Sequence, residues 1–350
     1  MVLVPAATAG TTVAAASPAS ASAPGAAATL RVVGGLAGLN QYVRHEERFW
    51  TVRLAELTQG RYRAEIVPFD RAGIRGPELL PMVRLGTVPF GTLLLSQAAP
   101  RDAEFAAADL AGLSPDMATL RRVVAAWRPR LQTLLLQRHN AQLLAVYAYP
   151  AQALFCNRPI AGLGDLKGLG VRTSSQTQSD FVQALGAKPL TVPFAQIMDQ
   201  VRSGNLDCAI TGTMSGHTIG LHTVTTHLLS LPVTWGLSVF VANAPTWTAL
   251  PAELRALLQR ELPRLEAAIW DEAERETAEG IRCATGRGAC GAAAPGRMVR
   301  VNPSPSDLAL SRELLAREVL PRWLERCGPE CADPWNQRLA PITGLRAEPR

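Results

Sequence analysis

Hydrophobic and polar positions alternate along this chain in two registers that succeed one another. Residues 30–33, Leu-Arg-Val-Val, end in Gly34-Gly35 and read as a strand. Residues 41–57 place Tyr42, Phe49, Leu54 and Leu57 on roughly one helical face, with Gly60 as the stop. Residues 62–69 alternate with period two, as a half-buried strand does. A short helix over 78–85, interrupted by Pro81, a buried strand over 92–95, a helix over 120–137 and a strand over 143–149 complete a first block.

The alternation restarts after Pro150. Extended segments are expected at 154–157, 169–172, 190–192 and 206–211, interleaved with helices at 175–185, 194–202 and 214–221. Residues 235–243 alternate as a strand. A long amphipathic helix over 252–279 then carries Leu254, Leu257, Leu258, Leu265 and Ile269 on one side, with a kink expected at Pro263. Residues 280–296 read as loop, 308–326 as a terminal helix and 329–350 as extended chain. No internal repeat is visible. Strand–helix–strand repetition on both sides of Pro150 predicts two α/β lobes joined by the long helix.

Composition narrows the picture. The 350 residues are 47% hydrophobic and 18% charged, enough for a substantial core. Lys+Arg exceed Asp+Glu by 35 to 29, but the basic residues are scattered, which argues against a nucleic-acid surface and for a general attraction to anions. Residues 1–29 hold no charged side chain and are mostly Ala, Ser, Thr, Pro and Gly, too weakly apolar to span a bilayer. They read as a signal-like or disordered segment, with Ala19-Ser20-Ala21 or Ala26-Ala27-Ala28 near a cleavage point. The basic start of a signal peptide is missing, so it is atypical or truncated, a flexible linker or misplaced start being the alternatives. Export is the expectation.

Six cysteines fit that expectation. Cys283–Cys290 and Cys327–Cys331 are the expected disulfides, although four cysteines allow three pairings. Cys156 and Cys208 sit in apolar runs and read as buried thiols. Zinc is disfavoured, since neither spacing is the two-residue knuckle and no histidine is close in sequence. His217, His222 and His227 recur every five residues, about 140° apart on a helix, and share no face.

Catalytic patterns fare no better. Gly212-Thr-Met-Ser-Gly216 puts Met214 where a hydrolase nucleophile belongs. Ser215 and His217 are neighbours, yet no acidic residue lies between Asp207 and Glu253 to orient the histidine. The glycines of residues 162–168 match neither a dinucleotide loop nor a phosphate loop. No catalytic residue, metal or cofactor is therefore assigned. A binding constellation survives: Arg172 closes a short strand where ligands sit in α/β folds, and its planar fork suits a carboxylate. Thr173, Ser174 and Ser175 follow it, Thr211, Thr213 and Ser215 crowd the end of the next strand, and Phe194 and Trp235 offer apolar walls.

The runs Asp165-Leu-Lys-Gly-Leu-Gly-Val-Arg-Thr173, Leu185-Gly-Ala-Lys-Pro-Leu-Thr-Val-Pro-Phe194 and Val201-Arg-Ser-Gly-Asn-Leu-Asp207 occur in that order. Together with Thr58-Gln-Gly-Arg-Tyr-Arg63, Ala72-Gly-Ile-Arg-Gly-Pro-Glu-Leu79 and Trp247-Thr-Ala-Leu-Pro-Ala-Glu-Leu254, they resemble the solute-binding proteins of TRAP transporters, DctP type, over residues 30–325. The resemblance implies a two-lobe periplasmic-binding-protein-like fold with hinge strands near Pro150 and Trp235. It implies lobe I from 30–151 plus 236–280, lobe II from 152–235 plus 281–328, and a C-terminal extension over 329–350. It implies a periplasmic receptor, not an enzyme, that delivers a small organic acid to TRAP permease membrane subunits, as a monomer and without a cofactor. Ligand contacts then fall on Arg172, Phe194, Thr211, Gln152, Trp235, Thr213 and Ser174. Gln152 stands where the family often has a second base, and Thr211 where asparagine is frequent. An α/β enzyme acting on a carboxylated substrate, or a stand-alone ligand sensor subunit, are the alternatives.

Overall fold

The computed structural model describes residues 28–288, 290 and 294–348. The signal-like segment expected over 1–29 lies outside the described residues except at its end, where the first strand already begins. The strands are β1 (Ala28–Gly34), β2 (Tyr62–Pro68), β3 (Phe90–Leu94), β4 (Ala141–Ala148), β5 (Gln152–Cys156), β6 (Gly170–Thr173), β7 (Lys188–Thr191), β8 (Cys208–Gly212), β9 (His227–Thr234), β10 (Leu237–Asn243) and β11 (Val299–Val301). They form two sheets, ordered β2-β1-β3-β10-β4 and β11-β9-β5-β8-β6-β7. β10 and β8 are buried along their whole length and sit inside their sheets. β2, at an edge, alternates between partly buried and exposed residues.

The helices used below are α1 (residues 41–57), α2 (Gly76–Arg84), α3 (Met117–His139), α4 (Gln176–Ala184), α5 (Thr213–Thr218), α6 (Ala252–Ala284), α7 (residues 305–327) and α8 (Ala332–Arg338). α2 runs through Pro81 rather than breaking there. α6 has 33 residues, about 50 Å at 1.5 Å per residue, with Pro263 inside one continuous helix. Leu254, Leu258, Leu265 and Ile269 are buried along it, while Leu257 is only partly so.

α6 also continues beyond the predicted stop at 279. Gly280 is helical because α5 packs backbone-to-backbone against it: a Cβ at that position would lie 2.2 Å from the Met214 amide nitrogen. Glycine here serves close approach, not a turn.

Besides the return from β10 to β11 through α6, the chain crosses directly between the sheets at two places, residues 149–151 and 235–236. The two crossings touch, the Tyr149 amide donating to the Gly236 carbonyl at 3.2 Å. Asp109 fixes the second crossing, accepting from the amides of Trp235 at 2.9 Å and Gly236 at 2.8 Å.

Two sequence expectations are corrected. Residues 329–350 are not extended, since α8 and a short helix Ala340–Thr343 occupy them. Pro334 falls in the first turn of α8, where its missing N–H costs nothing. Trp335 is fully buried there against Trp323, ring centroids 5.3 Å apart. Cys156 and Cys208 are not thiols: they face each other across the β5–β8 pair and form a disulfide. Cys283–Cys290 and Cys327–Cys331 pair as expected.

Candidate functional site

β6, β7 and β8 run parallel and end on the same side of their sheet, where antiparallel β5 begins. Arg172 lies at that end, 4% exposed. Its Nε donates to the Val192 carbonyl at 2.9 Å and its Nη1 to the Ile210 carbonyl at 2.7 Å. The guanidinium is thus clamped between the segment leading to Phe194 and the residue before Thr211. No ion pair among the described residues includes it. Desolvation pulls its pKa down to about 10, so the cation persists at neutral pH at a cost in free energy.

Gln152 and Ser174 meet directly. Ser174 Oγ is 3.2 Å from Gln152 Oε1, and Gln178 Nε2, from α4, donates to that same oxygen at 2.7 Å. Gln178 also donates to Thr234 Oγ1 at 2.7 Å and accepts the Ser174 amide at 2.8 Å. Ser175 caps α4 by accepting the Gln178 amide at 3.2 Å.

Across from this amide cluster stand Ser96, Phe105 and Asp109, contributed from the side of the first sheet. Together they line a narrow crevice of about 20 Å³ beside the crossing strands, room for about one water. Burial pushes the Asp109 carboxyl up to about 7, against the backbone amides that hold it ionised.

The remaining predicted residues have other surroundings. Trp235 is core, its indole N–H donating to the Ser114 carbonyl at 2.9 Å. Thr213 Oγ1 points to α6, 3.2 Å from the Glu276 carbonyl and 3.1 Å from that of Thr277. Phe194 is partly buried in a 3₁₀ turn against a small apolar cluster that includes Ile197 and Leu206. Thr211 is buried in β8.

Sequence reasoning missed Gln178, Thr234 and Asp109. A lone acid in the apolar run of residues 105–113 was the available signal for Asp109. It also missed Glu46, fully buried and accepting from the Gly35 amide at 3.1 Å, Gln41 Nε2 at 2.8 Å and Thr92 Oγ1 at 2.7 Å. Desolvation raises its pKa.

Ser215 and His217 form no hydrogen bond with each other among the described residues, and both His217 ring nitrogens are buried without a partner. Burial lowers the His217 pKa to about 4. The histidine spacing argument is corrected here: α5 stops at Thr218, Gly220 turns the chain with φ +81°, and His222 folds back onto His217. His217 also lies beside Cys283 and Cys290, far from it in sequence.

The family model for bacterial extracellular solute-binding protein, family 7 (DctP), matches residues 37–284. The chain belongs to this family. Solved structures agree in fold. An extracytoplasmic solute receptor of Bordetella pertussis, DctP7, binding pyroglutamic acid superimposes with a TM-score of 0.78 at 20% identity, covering 91% of this chain and 100% of that one. A TRAP periplasmic solute-binding protein from Desulfovibrio salexigens with bound orotic acid gives 0.78 at 16% identity, covering 90% and 99%. One from Shewanella oneidensis with bound succinate gives 0.75 at 18%, covering 88% and 98%. The mixed α/β architecture is therefore that of the TRAP solute receptors, a family of extracytoplasmic binding proteins rather than enzymes. No described helix is long and apolar enough to cross a membrane.

Proposed function

We propose that this family member is an exported, periplasmic receptor that captures a small organic acid through its carboxylate and delivers it to a TRAP-type permease. The observation that carries the reading is Arg172: a cation 4% exposed whose acceptors are two backbone carbonyls, with no carboxylate among the described residues paired to it. An uncompensated buried charge is costly, and an anionic ligand is the partner that offsets it. The remaining face of the planar fork suits two carboxylate oxygens.

The hydroxyl and amide groups of Ser174, Gln152, Gln178 and Thr234 supply neutral donors and acceptors for the rest of the ligand. Gln152 carries no charge, so one carboxylate, not two, is the expected anchor. Lobe I (30–151 plus 236–280) and lobe II (152–235 plus 281–328) close about the crossings at 149–151 and 235–236, excluding water and strengthening the ion pair. Residues 305–347 pack against both sides and limit the opening: Trp323 Nε1 donates to the Ala103 carbonyl at 2.8 Å, and Arg326 pairs with Asp180 of α4.

The relatives with pyroglutamate, orotate and succinate suggest the panel to screen. A thermal-shift screen of those acids and their uncharged amides tests the reading. A ligand at a hundred times its Kd stabilises by about 2.7 kcal/mol. Stabilisation by at least one acid and not by its amide supports carboxylate capture; equal stabilisation by the amide contradicts it.

A further inference from the structure

Away from the crevice, residues from three separate stretches converge beside α5. His217, Cys283 in the last turn of α6, and Cys290 bring one donor atom each within 4.8 Å of one another. His217 is 2% exposed, and neither ring nitrogen has a hydrogen-bond partner among the described residues. His222 stacks on it with ring centroids 4.2 Å apart, and its Nδ1 is likewise buried and unpartnered. The packing leaves His222 little freedom: a Cβ added to Gly296 would lie 3.0 Å from the His222 Cβ. Buried polar nitrogens are almost always satisfied, and a disulfide sulfur is too poor an acceptor to satisfy these. Neutral imidazole and thiolate are the donor pair that borderline-soft cations select.

We propose that in its dithiol form the Cys283–Cys290 pair joins His217 in a three-donor site for Zn²⁺ with water in the fourth position, His222 holding the His217 ring in place by stacking. In the oxidised chain the two sulfurs are bonded to each other, so disulfide and metal exclude one another. Interconversion needs a dithiol reductant. Its two thiols become a disulfide as the Cys283–Cys290 bond breaks and each cysteine sulfur takes a hydrogen. Zn²⁺ then displaces both thiol protons to solvent. The site ties the end of α6 to α5, the helix that directly follows β8 and is already held to α6 through Thr213. The metal thus keeps the Cys283–Cys290 link that the disulfide otherwise makes and adds α5 to it.

The test uses the full chain carrying Cys327→Ser and Cys331→Ser, which removes a second reducible pair. The probe is Co²⁺ alone, added after treatment with a phosphine reductant. The expected result is one equivalent of Co²⁺ with intense thiolate charge-transfer absorption and the visible bands of tetrahedral cobalt, displaced by Zn²⁺ and absent from the oxidised chain. Affinity falls at least a hundredfold in His217→Ala and at least tenfold in His222→Ala. Cys290→Ser, at a less buried position, cuts the charge-transfer intensity to about half and weakens Co²⁺ binding at least tenfold, a readout that stands even if a His217 variant fails to fold. Absence of the thiolate band in the reduced chain, or an unchanged band and affinity in Cys290→Ser, overturns the proposal.

Discussion

Arg172 Nη1 donates to the carbonyl of Ile210 at 2.7 Å, across the parallel pair β6–β8. This bond orients the guanidinium at the end of the sheet, where no described acidic residue pairs with it. Binding, in this account, completes an arrangement the fold holds incomplete. The surrounding structure carries its own strained or finely matched contacts, and each makes a measurable prediction.

Gly280→Ala places a methyl 2.2 Å from the Met214 amide nitrogen, and backbone cannot yield as a side-chain tip can. Denaturant unfolding should show a loss of at least 3 kcal/mol, above the usual ~1–3 for overpacking. A loss under 1 kcal/mol would mean that α5 and α6 are not packed this closely.

Glu104 is fully buried and accepts from Arg130 Nε, and from Arg130 Nη2 at 3.0 Å. Arg130→Ala strands the carboxylate with Arg138 alone, 3.3 Å away and half-exposed. The expected cost is about 3 kcal/mol, the low end for breaking a buried pair. The double variant with Glu104→Gln should recover part of it in the same unfolding experiment.

Gln178→Leu removes both donors and the acceptor that join Gln152, Thr234 and the Ser174 amide. The buried groups left unpaired predict a loss of about 2–4 kcal/mol. Melting at the wild-type temperature would show that the amide cluster is not a structural unit.

Asp109 tests the hinge. Its pKa is raised to about 7 from an unfolded value near 3.8, so the folded chain holds a proton that the unfolded chain has lost between those values. Its contribution is fully present below about pH 3.8 and declines as pH rises through 7. The loss is at most about 4 kcal/mol, less in proportion to the water reaching this partly exposed side chain. Asp109→Asn should therefore gain stability relative to wild type as pH is raised from 4 to 7. A pH-independent difference would place the carboxyl in an ordinary solvated setting.

Much of the fold was legible because many segments have a single reading. β2 alternates and sits at an edge; residues 235–243 also read as a strand, and β10 there is buried throughout and sits inside its sheet. β9 was missed because Pro232 interrupts it, and only the sheet shows why that is tolerated: the proline lies where pairing with β5 shifts between Leu229 and Thr234. Gly280 read as a helix end because its reason, the α5 backbone, is 66 residues away in sequence. Of the residues proposed for the site, Gln152 and Ser174 touch one another at the end of the sheet where Arg172 lies. Trp235 and Thr213 looked equally suitable by residue type, and tertiary contacts engage both elsewhere. Long-range partners such as Cys283 for His217, or Cys156 for Cys208, leave no local pattern to read.

The central claim concerns the charge of one side chain. Isothermal titration of the acid that gives the largest thermal shift, against wild type, Arg172→Ala and Arg172→Met, measures it directly. Loss of a desolvated charge pair is worth about 2–5 kcal/mol, so affinity should fall at least thirtyfold in both variants. The methionine variant, relieved of a buried cation, should unfold no more readily than wild type without ligand. Binding of that acid by both variants within threefold of wild type would contradict the account.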